Sequence, residues 1–512
     1  MPRQPNVMFI IADQHNAKCL GVAGHPQVKT PHLDDLVRRS VRFTSAVTTS
    51  PICTPSRLSY LTGKYSHNHG FYGNGGNDPD EHVSILGHLR RNGYKTASIG
   101  HINQPKWQER QSDFFRDAYP SALPSQPPAG PYDVYLEKAG LRHLRDDMYY
   151  PEQGEHPAGC VMDGRPSPLS FDHTVEGWCV REMKEFVDSC GDQPWFCYLG
   201  LPHPHSNYCP AQEFWDLYDH ENIWLPPNFE YPMEGKAPHL RRMKEGARTS
   251  DWWLLFEPRT PEAGFLRKQH GYFGCISQVD HAVGQTMAFL AERGLLEDTI
   301  VIYTADHGDY ACEHGVPEKA PGICGDAICR VPSIWHWQGR FKEGHVTDAV
   351  IQNVDLAPTL LSLLGLPPMP TVDGEDIRPL LEGRDAPVRA FGVTEHAWSK
   401  ALLKGNWRLV YYPRRMFADD FDGKEFGELY DLGQDPWEMH NLFFSPEHQD
   451  KIRELQRDLM DFLMTTSSVK TILPWVKPKE GGGDGIYQHR EADDRLHWRD
   501  VEETRKQVDC YI

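Results

Sequence analysis

Four short, largely apolar runs, residues 7–12, 96–100, 195–200 and 299–304, each stop abruptly at polar or ionisable side chains. A strand with one solvated face alternates apolar and polar residues, whereas near-continuous runs belong to strands covered on both faces of a parallel sheet. Helical patterns lie between them. Val279, Val283, Met287 and Leu290 follow one another at four, four and three residues and stop before Gly294, the spacing of one buried helix stripe. Strands alternating with helices imply a mainly parallel sheet sandwiched by helices. In such sheets ligands bind beyond the carboxyl ends of the strands, so Asp13, His101, His203, His205 and Asp306 are expected at one mouth.

A chain of 512 residues exceeds the ~250–300 residues at which single cores stop growing. Residues 353–364 read as a helix, and 366–370 carry three prolines, a boundary signal. The expected division is a catalytic domain over 1–368, a C-terminal subdomain over 369–473 and an extended arm over 474–512. Within the second part, residues 391–394, 400–403 and 407–412 read as strands. Gly405 and Asn406 between the last two predict antiparallel pairing, and 451–465 predicts an amphipathic helix. The fold class is therefore α/β, a large mixed, mainly parallel sheet with a smaller antiparallel α+β domain after it.

The formal net charge of -19 argues against nucleic acid or an anionic membrane surface as partner, since both require an extended basic face. No apolar run approaches the ~20 residues that span a bilayer. The first residues enter a strand directly, without a leader pattern, so a cytoplasmic protein is expected. Twelve scattered cysteines predict reduced, buried thiols and no disulfide framework.

The chemistry concentrates in Cys53-Thr54-Pro55-Ser56-Arg57, followed by Leu61-Thr62-Gly63. A cysteine before a proline turn is ordinarily a buried thiol, but here two acid-containing pairs accompany it. Asp13-Gln14 ends the first strand candidate, and Asp306-His307, within Thr304-Ala305-Asp306-His307-Gly308, ends another. Such oxygen-rich ligands suit calcium, and the imidazole also admits manganese. Lys319, Arg330-Val331-Pro332, the segment 353–359 and Glu428-Leu429-Tyr430-Asp431-Leu432 with Asp435-Pro436 follow in order. Together these segments, from residue 6 to about 442, resemble the type I sulfatases of the alkaline phosphatase superfamily.

That resemblance implies an alkaline phosphatase-like fold and hydrolysis of sulfate monoesters. It also implies that Cys53 is oxidised by a separate maturing enzyme to formylglycine, whose hydrated aldehyde offers two hydroxyls. One attacks sulfur, and the other expels the sulfate by collapse to the aldehyde, which a serine could not do. By the same resemblance one divalent ion is held by Asp13, Gln14, modified Cys53, Asp306 and His307. Arg57, one turn after Cys53, holds the diol, and Lys319 meets the sulfuryl oxygens. Leu201-Pro202-His203-Pro204-His205 resembles the segment whose histidine assists the leaving group. Pro210 at a family-like distance favours His205, with His203 as the alternative. Asn74, in Phe71-Tyr72-Gly73-Asn74, matches an asparagine directed at the substrate's charged oxygens.

One departure bears on the substrate. Where common sulfatases carry Gly-Lys-x-His, this chain has Gly100-His101-Ile102-Asn103, so His101 and Asn103 occupy substrate-facing positions with less fixed positive charge. That disfavours dianionic phosphate monoesters. A sulfated sugar, choline sulfate or an aryl sulfate is the expected substrate class. The alternatives are a phosphonate monoester or phosphodiester hydrolase of the same superfamily and a non-catalytic anion-binding relative. The charged arm suggests a homo-oligomer.

Overall fold

The computed structural model describes residues 4–74, 82–118, 130–149, 163–249, 254, 258–319, 323–384 and 387–467. Among these are fourteen strands. The first ten are β1 (Asn6–Asp13), β2 (Val41–Phe43), β3 (Ala46–Val47), β4 (Lys95–Gly100), β5 (Phe114–Asp117), β6 (Trp195–Pro204), β7 (Thr299–Ala305), β8 (Ser333–His336), β9 (His345–Thr347) and β10 (Ile351–Gln352). The last four are β11 (Gly392–His396), β12 (Ser399–Lys404), β13 (Trp407–Tyr411) and β14 (Gly427–Asp431).

Eight strands form the large sheet in the order β5-β4-β6-β1-β7-β8-β2-β9. β1 runs parallel to both β6 and β7, while β8 lies antiparallel between β7 and β2. All eight residues of β1 are buried, and strand alternation explains how they divide. Met8, Ile10 and Ala12 face the core shared with helices Val175–Cys190 and Pro261–Glu292. Val7, Phe9 and Ile11 face the opposite core, shared with helices Cys53–Thr62 and Leu356–Leu364. With helices on both faces, none of the strand's apolar side chains needs a polar alternate.

The helix read from Val279 to Leu290 extends much further, from Pro261 to Glu292. Its start obeys local rules: Thr260 caps the Ala263 N–H and proline takes the first helical position. The first half was hidden because it buries Arg267, Lys268, Gln269 and His270, which break the apolar stripe.

β11 to β14 form an antiparallel sheet in sequence order. Ile452, Leu455, Leu459 and Phe462 of helix Gln449–Thr466 pack on Val393, Leu402, Leu409 and Leu429 from its four strands. The sheet reaches the catalytic face: Glu395 N–H and Thr394 Oγ1 donate to the carbonyls of Thr49 and Thr48, each at 2.7 Å, just ahead of the cysteine motif. The expected arm over 474–512 lies outside the described residues. No helix among the described residues is long and apolar enough to cross a membrane. The ten cysteines described are all free and buried.

Candidate active site

Topology brings the two acid pairs together. Ala12 of β1 is level with Ala305 of β7, so Asp13 and Asp306 leave neighbouring strands side by side. Gln14 then turns sharply through a left-handed backbone, φ 70°, a conformation that a non-glycine residue holds only where its surroundings enforce it. Its N–H donates to Asp306 Oδ1 at 3.0 Å. Cys53 is the first residue of helix Cys53–Thr62, whose ten residues are all buried. There the helix dipole favours negative charge. Proline is tolerated in the first turn because the N–H it lacks has no partner there. Gly308 is obligatory, since a Cβ on it would meet the Ala327 carbonyl oxygen at 1.9 Å.

Asp13, Cys53, Asp306 and His307 present ligand atoms that all lie within 4.8 Å of one another, and all four residues are buried. Cys53 Sγ is 3.2 Å from His307 Nε2, 3.8 Å from Asp13 Oδ1 and 3.7 Å from Lys319 Nζ. His307 Nδ1 lies 2.9 Å from the Gly308 carbonyl. A carbonyl only accepts, so Nδ1 carries the proton and Nε2 keeps a lone pair directed at the cluster.

Arg57 holds this concentration of charge. Its Nε donates to Asp306 Oδ2 at 2.7 Å and its Nη2 to Asp13 Oδ2 at 2.9 Å, while Nη1 donates to Tyr198 Oη and the His101 carbonyl. Four of the five guanidinium protons are thus spent on the frame of the site. Burial opposes the Arg57 cation, but Asp306, Tyr198 and Asp13 raise its pKa well above the usual value. For Asp13, burial favours the neutral acid, yet His205, Arg57, His101 and Lys319 hold the carboxyl well below its ordinary range. The Cys53 thiol is pushed up by burial and then by Asp13. Lys319 stays charged despite burial because Cys53, Glu318, Asp13 and Asp306 face it.

Gln14 is oriented by groups that no sequence motif marks. Its Nε2 donates to Asp309 Oδ2 and to Tyr208 Oη, at 3.3 Å for the latter. This leaves Oε1 toward the cluster, where Lys319 Nζ donates to it at 2.6 Å. Asp309 Oδ1 accepts from Lys268 Nζ at 2.7 Å, with both side chains 0% exposed. Lys268 itself sits over the rings of Tyr208 and Tyr272. Asp309 could have been suspected from its place directly after Asp306-His307-Gly308, but Lys268, in the middle of a long helix, carries no such signal.

The remaining candidates divide. Asn74 Oδ1 accepts from Thr54 N–H at 3.0 Å, and its Nδ2 lies 4.0 Å from Cys53 Sγ. His101 Nε2 is 3.5 Å from Asp13 Oδ2. Burial, then Arg57, lowers its pKa to about 4, so the ring is neutral at pH 7 and adds no positive charge beside Asp13. Asn103 Oδ1 is buried without a hydrogen-bond partner among the described residues. His203 turns into the core, 3.0 Å from Glu176 Oε1 and within reach of Gln278 Nε2 and the Asn207 carbonyl. His205 stays on the catalytic side: Nδ1 lies 2.8 Å from the Ser206 carbonyl, and Nε2 faces Glu318 Oε1 at 4.0 Å.

Residues 5–366 match the family model described as Sulfatase, and residues 313–465 match the one described as N-sulphoglucosamine sulphohydrolase, C-terminal. The chain belongs to the sulfatase family. An ulvan-active sulfatase of Formosa agariphila is 28% identical over 90% of this chain and 81% of its own length. A choline-sulfatase of Rhizobium meliloti is 28% identical over 86% and 83%. The crystal structure of a phosphonate monoester hydrolase of Agrobacterium radiobacter shares the fold at TM-score 0.74 and 20% identity, covering 90% of this chain and 96% of its own. This sulfatase therefore spans most of its relatives' length, with the acid pairs and cysteine motif inside the matched region.

The donor set fits the divalent ion such a family uses. Two carboxylates, an amide oxygen and an imidazole lone pair converge, and Arg57 already balances part of the negative charge, so one cation satisfies the rest.

Proposed function

We propose that this sulfatase hydrolyses sulfate monoesters of a sugar, choline or aryl alcohol, with residue 53 in its formylglycine form as nucleophile and one divalent ion, calcium by preference or manganese, at Asp13, Gln14, Asp306 and His307. The observation that carries the reading is the position of Cys53 Sγ, 3.8 Å from Asp13, 3.2 Å from His307 and 3.7 Å from Lys319. Formylglycine supplies a hydrated aldehyde with two hydroxyls. The bound ion supplies Lewis-acid polarisation of the oxygens around it.

The chain's own groups do the rest. Arg57 bridges Asp13 and Asp306 and helps hold Asp13 ionised. Lys319 Nζ is aimed at the nucleophile and sets a fixed positive charge beside it, where charge on the sulfuryl oxygens can be balanced. Asn74 Nδ2, near the same sulfur position, orients those oxygens. His205 delivers a proton to the departing alkoxide through Nε2, since its Nδ1 is engaged by a backbone carbonyl. His203, fixed by Glu176 and Gln278, anchors the segment that carries His205.

With the His101 ring neutral, the fixed positive charge beside the nucleophile is that of Lys319, 3.7 Å from Cys53 Sγ, a balance suited to a singly charged ester. A phosphonate monoester has the same charge and is the competing substrate. Comparing kcat/KM for an aryl sulfate and the matching aryl phosphonate monoester in matured, calcium-loaded protein decides between them. The sulfate is expected to be turned over faster. A dominant phosphonate rate reverses the assignment.

A further inference from the structure

Glu318 lies immediately before Lys319 and takes no part in the chemistry above. Its side chain is 14% exposed, and its Oε1 stands 4.0 Å from Lys319 Nζ and 4.0 Å from His205 Nε2. Both separations exceed hydrogen-bond length, and the carboxylate makes no hydrogen bond among the described residues. Lys319 marks the sulfuryl end of a bound ester and His205 the leaving-group oxygen. A carboxylate equidistant from both stands beside the ester linkage, against the first atoms of the alcohol.

Such a group is costly in an anion-binding site. It opposes the attraction that Lys319 provides, and a bound substrate that cannot hydrogen-bond to it strips its water without return. A favourable contact with the leaving group offsets both effects. We propose that Glu318 is a specificity-determining residue: it accepts a hydrogen bond from a hydroxyl or ammonium group next to the ester carbon, and it turns away alcohols that carry a second anionic group there. The substrate class is thus the monosulfate of a neutral polyol or a cationic alcohol, not a polysulfated or uronate-bearing one. This rests on the sulfate-ester reading above.

The magnitude follows from Coulomb's law. Two unit charges ~6 Å apart at an effective dielectric near ~40 interact by about tenfold in an equilibrium constant. Relative to a neutral alcohol, a cation there gains about tenfold and an anion loses about tenfold. The test uses phenyl sulfate and its meta-trimethylammonium and meta-carboxylate derivatives with wild type, Glu318→Gln and Glu318→Asp. kcat/KM is measured on matured, calcium-loaded protein, and Kd by calorimetry on the same variants carrying Cys53→Ser. The cation-to-anion ratio is expected to fall by about 100-fold in Glu318→Gln and to persist in Glu318→Asp. An unchanged ratio, or an equal loss on all three esters, overturns the proposal. The three matching phenyl phosphonate monoesters run alongside: if they alone are turned over, the sulfate reading falls and the charge ratio is read from them.

Discussion

Replacing Asp309 by asparagine separates two tasks that this residue performs. Its Oδ1 accepts from Lys268 and its Oδ2 from the Gln14 amide nitrogen. With Lys268 and Asp309 both 0% exposed, removing the acid leaves a buried ammonium without a countercharge, which costs about 3–5 kcal/mol. The second effect is on orientation. An asparagine that keeps Oδ1 on Lys268 presents NH2 to the Gln14 NH2, and two donors cannot bond. Gln14 must flip, turning its nitrogen toward the metal ligands. Loss of such an orienting partner weakens metal binding by about 10- to 100-fold, or about 1.4–2.8 kcal/mol. Urea unfolding of the metal-free protein reads the first quantity, as a lower midpoint at constant slope, and calcium titration reads the second. Adding Lys268→Met to Asp309→Asn removes the orphaned charge, so stability should return while calcium affinity stays low. If Asp309→Asn left calcium affinity at the wild-type value, the orientation argument would be wrong.

Four further outcomes follow. Arg57→Met leaves Asp13 and Asp306 facing each other and should destabilise the metal-free protein by about 3–5 kcal/mol, with saturating calcium restoring part of the loss in a thermal scan. His205→Ala should slow alkyl sulfates by about 100-fold or more while sparing 4-nitrophenyl sulfate, whose leaving group needs no proton; equal losses on both would remove His205 from that role. His101→Lys restores a fixed cation beside Asp13 and should raise turnover of a dianionic phosphate monoester relative to a sulfate by about tenfold. The Glu176–His203 pair predicts a pH window: partner His203 lowers the Glu176 pKa against burial, and Cys275 with Glu176 raises that of His203. The acid's contribution fades as pH falls below its unfolded value of ~4.3, and the histidine's fades as pH rises from ~6.5. The stability gap between wild type and Glu176→Gln should therefore be widest between those values, and a gap that is flat with pH would contradict the pairing.

The sheet was legible because burial on both faces writes itself as short apolar runs, and 7–12 and 299–304 became β1 and β7 with only end residues added. The antiparallel strands after residue 391 were legible for a different reason, the Gly405-Asn406 turn between β12 and β13. β14 was known only as part of a matching segment, since its five residues include Gly427 and Glu428 and lack an alternating pattern. At the site, motif order located Asp13, Cys53 and Asp306, but not the groups that orient them. Tyr198 Oη and Lys268 Nζ act through contacts 141 and 41 residues apart in sequence, and a buried lysine reads in one dimension like a solvated one. Which of His203 and His205 turns into the core was illegible for the same cause: two histidines separated by a proline look alike until Glu176 is seen to hold His203.

The central claim is that residue 53 works as an aldehyde and not as a thiol. Mass spectrometry of the tryptic peptide spanning residues 43–57, on protein produced with a formylglycine-generating enzyme, tests it directly when paired with turnover of 4-nitrophenyl sulfate on the same samples. The account predicts a peptide that has exchanged sulfur for oxygen and lost two hydrogens, reacts with a hydrazide probe, and rises in proportion to activity. Full activity in protein whose Cys53 peptide carries only the intact thiol would contradict it.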